Sequence, residues 1–101
     1  MAISSIIQVE GVDFAQVYMH NDADTNATLG WLEDFNREFT DKRGDEPEYK
    51  FAQLLRSSSF ESHDLSYSLF IGWAIKPFGV NMGQIFEYTL KKDGTVTRLE
   101  L

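Results

Sequence analysis

The sequence predicts one α+β domain over residues 1–101: an antiparallel sheet of four to five strands with two helices packed on one face. Two neighbouring segments in the middle of the chain carry apolar residues at helical spacing. Segments with alternating apolar and polar residues lie on both sides of them. The resulting order, ββααβββ, groups the helices between strands, which favours an antiparallel sheet over the strand–helix alternation typical of a parallel one.

The first two strands are predicted over residues 3–10 and 14–20, where apolar and polar side chains alternate. Gly11 and Asp13 lie between the two segments and are typical of a turn. Because such a short connection joins neighbouring antiparallel strands, the two segments predict a hairpin.

The first helix is predicted over residues 24–42. Its apolar stripe consists of Leu29, Trp31, Leu32, Phe35 and Phe39. Its outer face carries two pairs of opposite charge at i, i+4 spacing, Glu33 with Arg37 and Glu38 with Lys42. Gly30 is unfavourable inside a helix, and we expect close packing against the sheet to be the reason for it. Gly44 is suited to end the helix.

The second helix is predicted to begin at Glu46 and Pro47, with Asp45 as its cap, and to end near residues 57–59. Residues 65–75 alternate strictly and predict the next strand, but the pattern leaves open which face points inward. The loop at residues 76–83 is unusually apolar. It either folds back over the core or forms an exposed contact.

The last hairpin is predicted over residues 84–90 and 95–101, around the turn signal Asp93-Gly94. A two-residue turn gives the pairs Leu90 with Thr97, Tyr88 with Leu99 and Phe86 with Leu101. These pairs share one apolar face, so the predicted register is self-consistent.

The composition limits the function classes. The chain has 16 acidic and 9 basic residues, a net charge of −7, which disfavours direct binding to nucleic acid or to an anionic membrane. It has no cysteine, which excludes disulfides, thiol catalysis and cysteine zinc sites and favours a reducing compartment. The sequence shows neither a signal peptide nor a run long enough to span a membrane, so we expect a cytoplasmic protein.

No arrangement typical of catalysis is found. Serines at 57–59 and 62 precede His63 and Asp64, but adjacent residues do not face one another usefully and no Gly-x-Ser-x-Gly turn is present. The sequence also lacks a glycine-rich phosphate loop. We therefore expect a protein that is not an enzyme and uses no cofactor.

One cluster of ligand-type side chains remains. His20 and Asp22 precede the first helix, Tyr18 lies just before them, and His63 lies far along the chain. Two histidines and a carboxylate are donors that hold divalent ions or small polar ligands. Their spacing fits no known metal motif, and turn formation with helix capping by Asp22 and Asp24 explains the same residues.

Charge distribution is the more informative signal. Residues 22–64 contain 11 acids and 5 bases, so they carry −6 of the total charge of −7. If both helices cover one face of the sheet, their outer sides form one acidic surface. The candidate partner-binding residues there are Glu33, Asp34, Glu38, Asp41, Asp45, Glu46 and Glu48. Such a surface is complementary to a basic protein, including one with a groove for nucleic acid.

The chain resembles a group of small phage and mobile-element proteins in three segments. It opens on Ala2-Ile3-Ser4-Ser5-Ile6-Ile7 and closes on Glu87-Tyr88-Thr89-Leu90 followed by Asp93-Gly94-Thr95-Val96. Between them, Tyr18-Met19-His20-Asn21-Asp22 is similar to the start of that group's Y-x-H-x-D-G-Y-P run, although Ala23-Asp24-Thr25 replaces Gly-Tyr-Pro. The resemblance implies a phage or prophage origin, with the host cytoplasm as compartment, and supplies no catalytic residue.

Together these observations predict a small acidic protein that inhibits a host nucleic-acid-handling or defence protein, in the manner of anti-CRISPR proteins, through its acidic helical face. One alternative is a ligand- or metal-binding domain centred on His20, Asp22 and His63. Another is a homo-oligomer that buries a strand edge or the loop at residues 78–82.

Overall fold

The computed structural model contains a five-stranded sheet and two helices. In chain order the elements are β1 (Ser5–Val9), β2 (Gln16–Met19), α1 (Thr25–Arg43), α2 (Pro47–Glu61), β3 (Trp73–Lys76), β4 (Phe86–Leu90) and β5 (Val96–Glu100). The structure describes residues 4–19, 25–61, 73–81 and 83–101, without the side chains of residues 57–61. The predicted α+β class and the element order ββααβββ are confirmed.

The sheet has the strand order β3-β2-β1-β4-β5 and is mixed, so the prediction of an antiparallel sheet was wrong. β1 pairs antiparallel with β2, with Ile7 opposite Val17, but parallel with β4, with Ile7 opposite Tyr88. The cause is the connection from β3 to β4, which the structure describes at residues 77–81 and 83–85. It passes β2 and β1 on one face of the sheet, so β4 enters in the same direction as β3 and β1.

Both helices pack on the opposite face, which we call the helix face. The strand registers place Ile7, Val17 and Tyr88 on it in one row. Their side chains join one buried core with Leu32 of α1 and with two residues of α2, Phe51 and Leu54. This packing on one face agrees with the arrangement expected from the sequence.

The connection at residues 77–85 is attached to the other face through Gln16. The Gln16 side chain donates to the Val80 carbonyl at 3.0 Å and accepts from the Gly79 amide at 3.1 Å. Gln16 is therefore buried although it lies outside the core. Phe78 and Val80 remain 43% and 39% exposed, so the loop covers the sheet mainly with its backbone.

Helix α1 ends at Arg43, and Gly44 follows with a φ of +70° and an amide bonded to the Thr40 carbonyl, as predicted. Among the described residues, and apart from the helix's own backbone and the two chain neighbours of Gly30, no atom lies within 4 Å of the position that a Gly30 Cβ would occupy, so this part of the structure shows no close packing there. The predicted strand at 65–75 is described only from Trp73, whose indole packs against that of Trp31 with ring centroids 5.5 Å apart. Residues 65–72 lie outside the described part of the chain.

The register of the last hairpin differs from the prediction by one residue. Leu90 lies opposite Val96, Tyr88 opposite Arg98 and Phe86 opposite Glu100. The turn has three residues rather than two, because the Lys91 amide donates to the Thr95 carbonyl and Gly94 adopts a φ of +95°. As a result, Leu99 and Leu101 are exposed and lie on the face away from the helices, while Arg98 is on the helix face.

Candidate functional site

The predicted partner-binding residues lie on α1, in the connection after it and at the start of α2. Glu33, Asp34, Glu38 and Asp41 lie on α1, Asp45 and Glu46 lie in the short connection, and Glu48 lies in the first turn of α2. All are exposed except Glu46, which is partly buried. We call these seven residues the acidic face.

Local ion pairs neutralise part of the acidic face. The pairs are Asp34 with Arg37 at 2.7 Å, Glu38 with Lys42 at 2.7 Å, Glu46 with Arg43 at 3.1 Å and Asp45 with Lys92 at 3.8 Å. The hydrogen bond from Lys42 lowers the pKa of Glu38. The predicted Glu38–Lys42 pair is confirmed. Arg37 pairs with Asp34 instead of the predicted Glu33; both acids lie about one helical turn before Arg37.

Three carboxylates of the acidic face, those of Glu33, Asp41 and Glu48, form no ion pair with the described residues. The negative charge available to a partner is therefore concentrated at these positions rather than spread over all seven. Glu33 and Asp41 are eight residues apart on α1, about two helical turns, so they point to the same side of the helix.

That side of α1 forms one wall of a groove, and the turn of the β4–β5 hairpin forms the other. The groove has a volume of about 650 Å³ and is lined by Glu33, Arg37, Thr40, Asp41, Asp93, Gly94 and Thr95. Gly94 lies against α1, since a Cβ there would be in ordinary contact with the Thr40 side chain at 3.5 Å, and its φ of +95° is what favours glycine at this position. We call it the α1–hairpin groove.

Asp93 contributes a further carboxylate to the α1–hairpin groove. From the sequence it was expected only to form the turn. Its Oδ1 accepts from the Thr95 amide at 3.0 Å and from the Thr95 hydroxyl at 2.6 Å. These hydrogen bonds lower the pKa of Asp93, which stabilises its ionised form beside the carboxylates of Glu33 and Asp41. The single guanidinium in the groove, Arg37, is already bonded to Asp34.

A buried polar cluster fixes the hairpin turn against the helices. The Asn36 amide is fully buried and donates to the Lys91 carbonyl at 2.9 Å and to the Thr95 carbonyl at 2.8 Å. Lys50 of α2 is also buried, and its Nζ donates to the Lys91 carbonyl at 3.3 Å and to the Thr40 hydroxyl at 3.4 Å. We call Asn36, Thr40 and Lys50 the polar clamp.

Burial lowers the pKa of the Lys50 ammonium, and the nearby carboxylates of Asp45, Glu10 and Asp93 act against this shift. No direct ion pair joins Lys50 to a carboxylate among the described residues. The clamp therefore holds its geometry by hydrogen bonds to backbone carbonyls. Sequence periodicity did not identify it, because Asn36 and Lys50 look like ordinary polar positions of amphipathic helices.

The alternative ligand site cannot be assembled from the described chain. His20, Asp22 and His63 lie outside it, and Tyr18 lies on β2, partly buried on the face away from the helices. Within residues 4–19, 25–61, 73–81 and 83–101, no three acidic or histidine side chains are placed to hold a metal ion.

In that same part of the chain, no helix combines the length and the apolar composition that crossing a membrane requires. Comparison with protein-family models, with curated proteins and with solved structures finds no match to this chain.

Proposed function

We propose that this protein is a small acidic binding protein of phage or mobile-element origin that inhibits a basic host protein involved in nucleic-acid handling or defence, in the manner of anti-CRISPR proteins. The observation that supports this most is the α1–hairpin groove, in which three carboxylates face one already paired arginine. It is not an enzyme in this proposal.

The groove suits lysine and arginine side chains of a partner. Glu33 and Asp41 line it without an ion pair, and Asp93 is held ionised by Thr95. A partner cation entering there gains charge-assisted hydrogen bonds and breaks no existing pair. The polar clamp keeps the two walls at a fixed distance, so little ordering is required on binding.

Inhibition follows from the sign of the charge. A protein surface that binds phosphates is rich in lysine and arginine. Carboxylates presented by a rigid helix compete for those cations, and complementary charge also accelerates association. The net charge of −7 and the resemblance to phage proteins support the same proposal.

The test begins with a pull-down from host lysate at low and at high salt, followed by purification of the retained basic protein. Its affinity is then measured for the wild type and for the double variant Glu33→Lys/Asp41→Lys. We expect the variant to bind about 10- to 100-fold more weakly, because both unpaired carboxylates are reversed. Asp13→Lys is the matched control, since Asp13 is exposed but lies outside the acidic face.

A second measurement separates inhibition from simple binding. The purified partner is incubated with its nucleic acid, and the acidic protein is titrated in at constant salt. Displacement of the nucleic acid supports the proposal. Equal binding by wild type and the double variant removes the electrostatic mechanism, and a complex that still holds its nucleic acid removes the inhibitor function.

A further inference from the structure

We propose that the outer edge of β5 pairs with β5 of a second copy of this chain, antiparallel and centred on Leu99, to give a symmetric dimer with one continuous sheet. β5 lies at the end of the strand order, and β4 is its only strand neighbour in the described structure. An exposed strand edge offers unpaired amides and carbonyls to another strand. This inference is independent of the proposed partner.

The hydrogen bonds to β4 determine which backbone groups face outward. The Lys91 amide donates to the Thr95 carbonyl, and the Leu101 amide donates to the Ile85 carbonyl. The bonding direction alternates along a strand of an antiparallel pair. Thr95, Thr97, Leu99 and Leu101 therefore bond towards β4, whereas Val96, Arg98 and Glu100 direct their amides and carbonyls to the free edge.

Charge selects the register. A two-fold axis at Arg98 places two arginines opposite each other, and an axis at Glu100 places two glutamates opposite each other, which is unfavourable in both cases. An axis at Leu99 places each Arg98 opposite Glu100 of the other copy. In that register the outward backbone groups of Arg98 and Glu100 also face one another, so sequence and hydrogen-bond direction agree.

Arg98 and Glu100 lack charged partners within the described chain. Arg98 donates from Nη1 to the Thr25 carbonyl and to the Asn26 side chain, and its guanidinium lies 5.4 Å from the centre of the Phe86 ring. It forms no ion pair with a described carboxylate, and Glu100 forms none with a described cation. In the dimer, each Arg98 faces Glu100 of the other copy, so two such pairs form across the axis.

Apolar exposure on the other face supports the same axis. Leu99 is 57% exposed and Leu101 61%, and both lie on the face away from the helices at the free edge. Ile85, which is 37% exposed, lies on the same face one strand further in, opposite Leu101. In the Leu99-centred pair the two Leu99 side chains meet, and each Leu101 lies opposite Thr97 of the other copy. The two Leu99 side chains then shield each other from water, and each Leu101 lies diagonal to the Leu99 of the other copy.

A cysteine cross-link tests the register directly, because the chain contains no cysteine of its own. At the axis of such a pair the two Leu99 positions are non-hydrogen-bonded partners with Cα atoms about 4.5 Å apart, within the range of a disulfide. We expect Leu99→Cys to form a covalent dimer on mild oxidation. Ile75→Cys is the matched control, since Ile75 is similarly exposed on the opposite edge strand, β3.

The second measurement is the mass in solution by sedimentation between about 10 μM and about 1 mM, a range that brackets weak association. We expect wild type to approach twice the monomer mass and Glu100→Lys to weaken self-association about 10-fold or more. Asp13→Lys, with the same charge change elsewhere, is expected to behave as wild type. A monomeric wild type at every concentration, or cross-linking of Ile75→Cys in preference to Leu99→Cys, would overturn the proposal.

Discussion

Replacing Asn36 by alanine tests whether the polar clamp stabilises the fold. The variant loses hydrogen bonds to the Lys91 and Thr95 carbonyls, at 2.9 and 2.8 Å, from a fully buried side chain. Each such bond contributes about 0.5–1.5 kcal/mol, and the space left by the amide adds to the loss. We expect the free energy of unfolding to fall by about 2–4 kcal/mol, a large part of the roughly 5–15 kcal/mol typical of a domain.

Urea denaturation followed by tryptophan fluorescence measures this loss, since Trp31 and Trp73 pack against each other in the folded protein. Asn26→Ala is the control on the same helix, because Asn26 is exposed and accepts a single bond from Arg98. It should change the unfolding free energy by less than about 1 kcal/mol. A loss for Asn36→Ala no larger than that of the control would refute the reasoning.

Asn36→Asp separates the hydrogen bonds from packing, since the two side chains have nearly the same volume. An ionised carboxylate cannot donate to the Lys91 and Thr95 carbonyls. Burial and the two facing carbonyls raise its pKa above the unfolded value of about 3.9, and the Lys50 ammonium, which shares the Lys91 carbonyl, reduces this shift. Below a pH of about 3.9 the introduced carboxyl is protonated in the folded and in the unfolded state, and the variant is least destabilised. The destabilisation then grows as the pH rises, until the folded-state pKa is passed. A pH-independent difference between variant and wild type would contradict this assignment.

Three further predictions concern stability. Burial lowers the pKa of Lys50, so the unfolding free energy of the wild type should rise with pH through the window between that lowered pKa and 10.5. Lys50→Met should lack this rise, and equal slopes in urea denaturation at pH 7 to 10 would count against a desolvated ammonium. Gly30→Ala should stabilise α1 by about 0.5–1 kcal/mol, because no described atom outside the helix's own backbone and the two chain neighbours lies within 4 Å of the added carbon. Gly11→Ala should destabilise the protein, since its φ is +98° and the added carbon would lie 2.9 Å from Pro47; the opposite order of melting temperatures would contradict both.

The helices and most strands were predictable because their signals are local. Leu32, Phe39, Phe51 and Leu54 lie at helical spacing and are buried as expected. The direction of β4 was not predictable, because it depends on where the connection at 77–85 crosses the sheet. Gln16 fixes that crossing through side-chain hydrogen bonds to residues more than 60 positions away. The alternating pattern of β2 gives no indication of these bonds.

The candidate site was predictable in composition and not in detail. Glu33 and Asp41 were identified from the excess of acids on α1, but pairing of Asp34 with Arg37 depends on side-chain geometry. Asp93 joins the site only because the turn has three residues and packs against α1 at Gly94. A two-residue turn uses the same Asp-Gly signal, so the sequence did not distinguish the two registers.

The parallel pairing of β1 with β4 also determines when the fold can form. Ser5 pairs with Phe86, 81 positions later, and this pairing occupies the middle of the sheet. During synthesis the β1–β2 hairpin therefore emerges long before β4, the strand that pairs with the other edge of β1. Contacts of such separation slow folding, and an early strand without its neighbour is prone to aggregation. Newly made chains of this protein therefore leave one edge of β1 unpaired until residues 86–90 have left the ribosome.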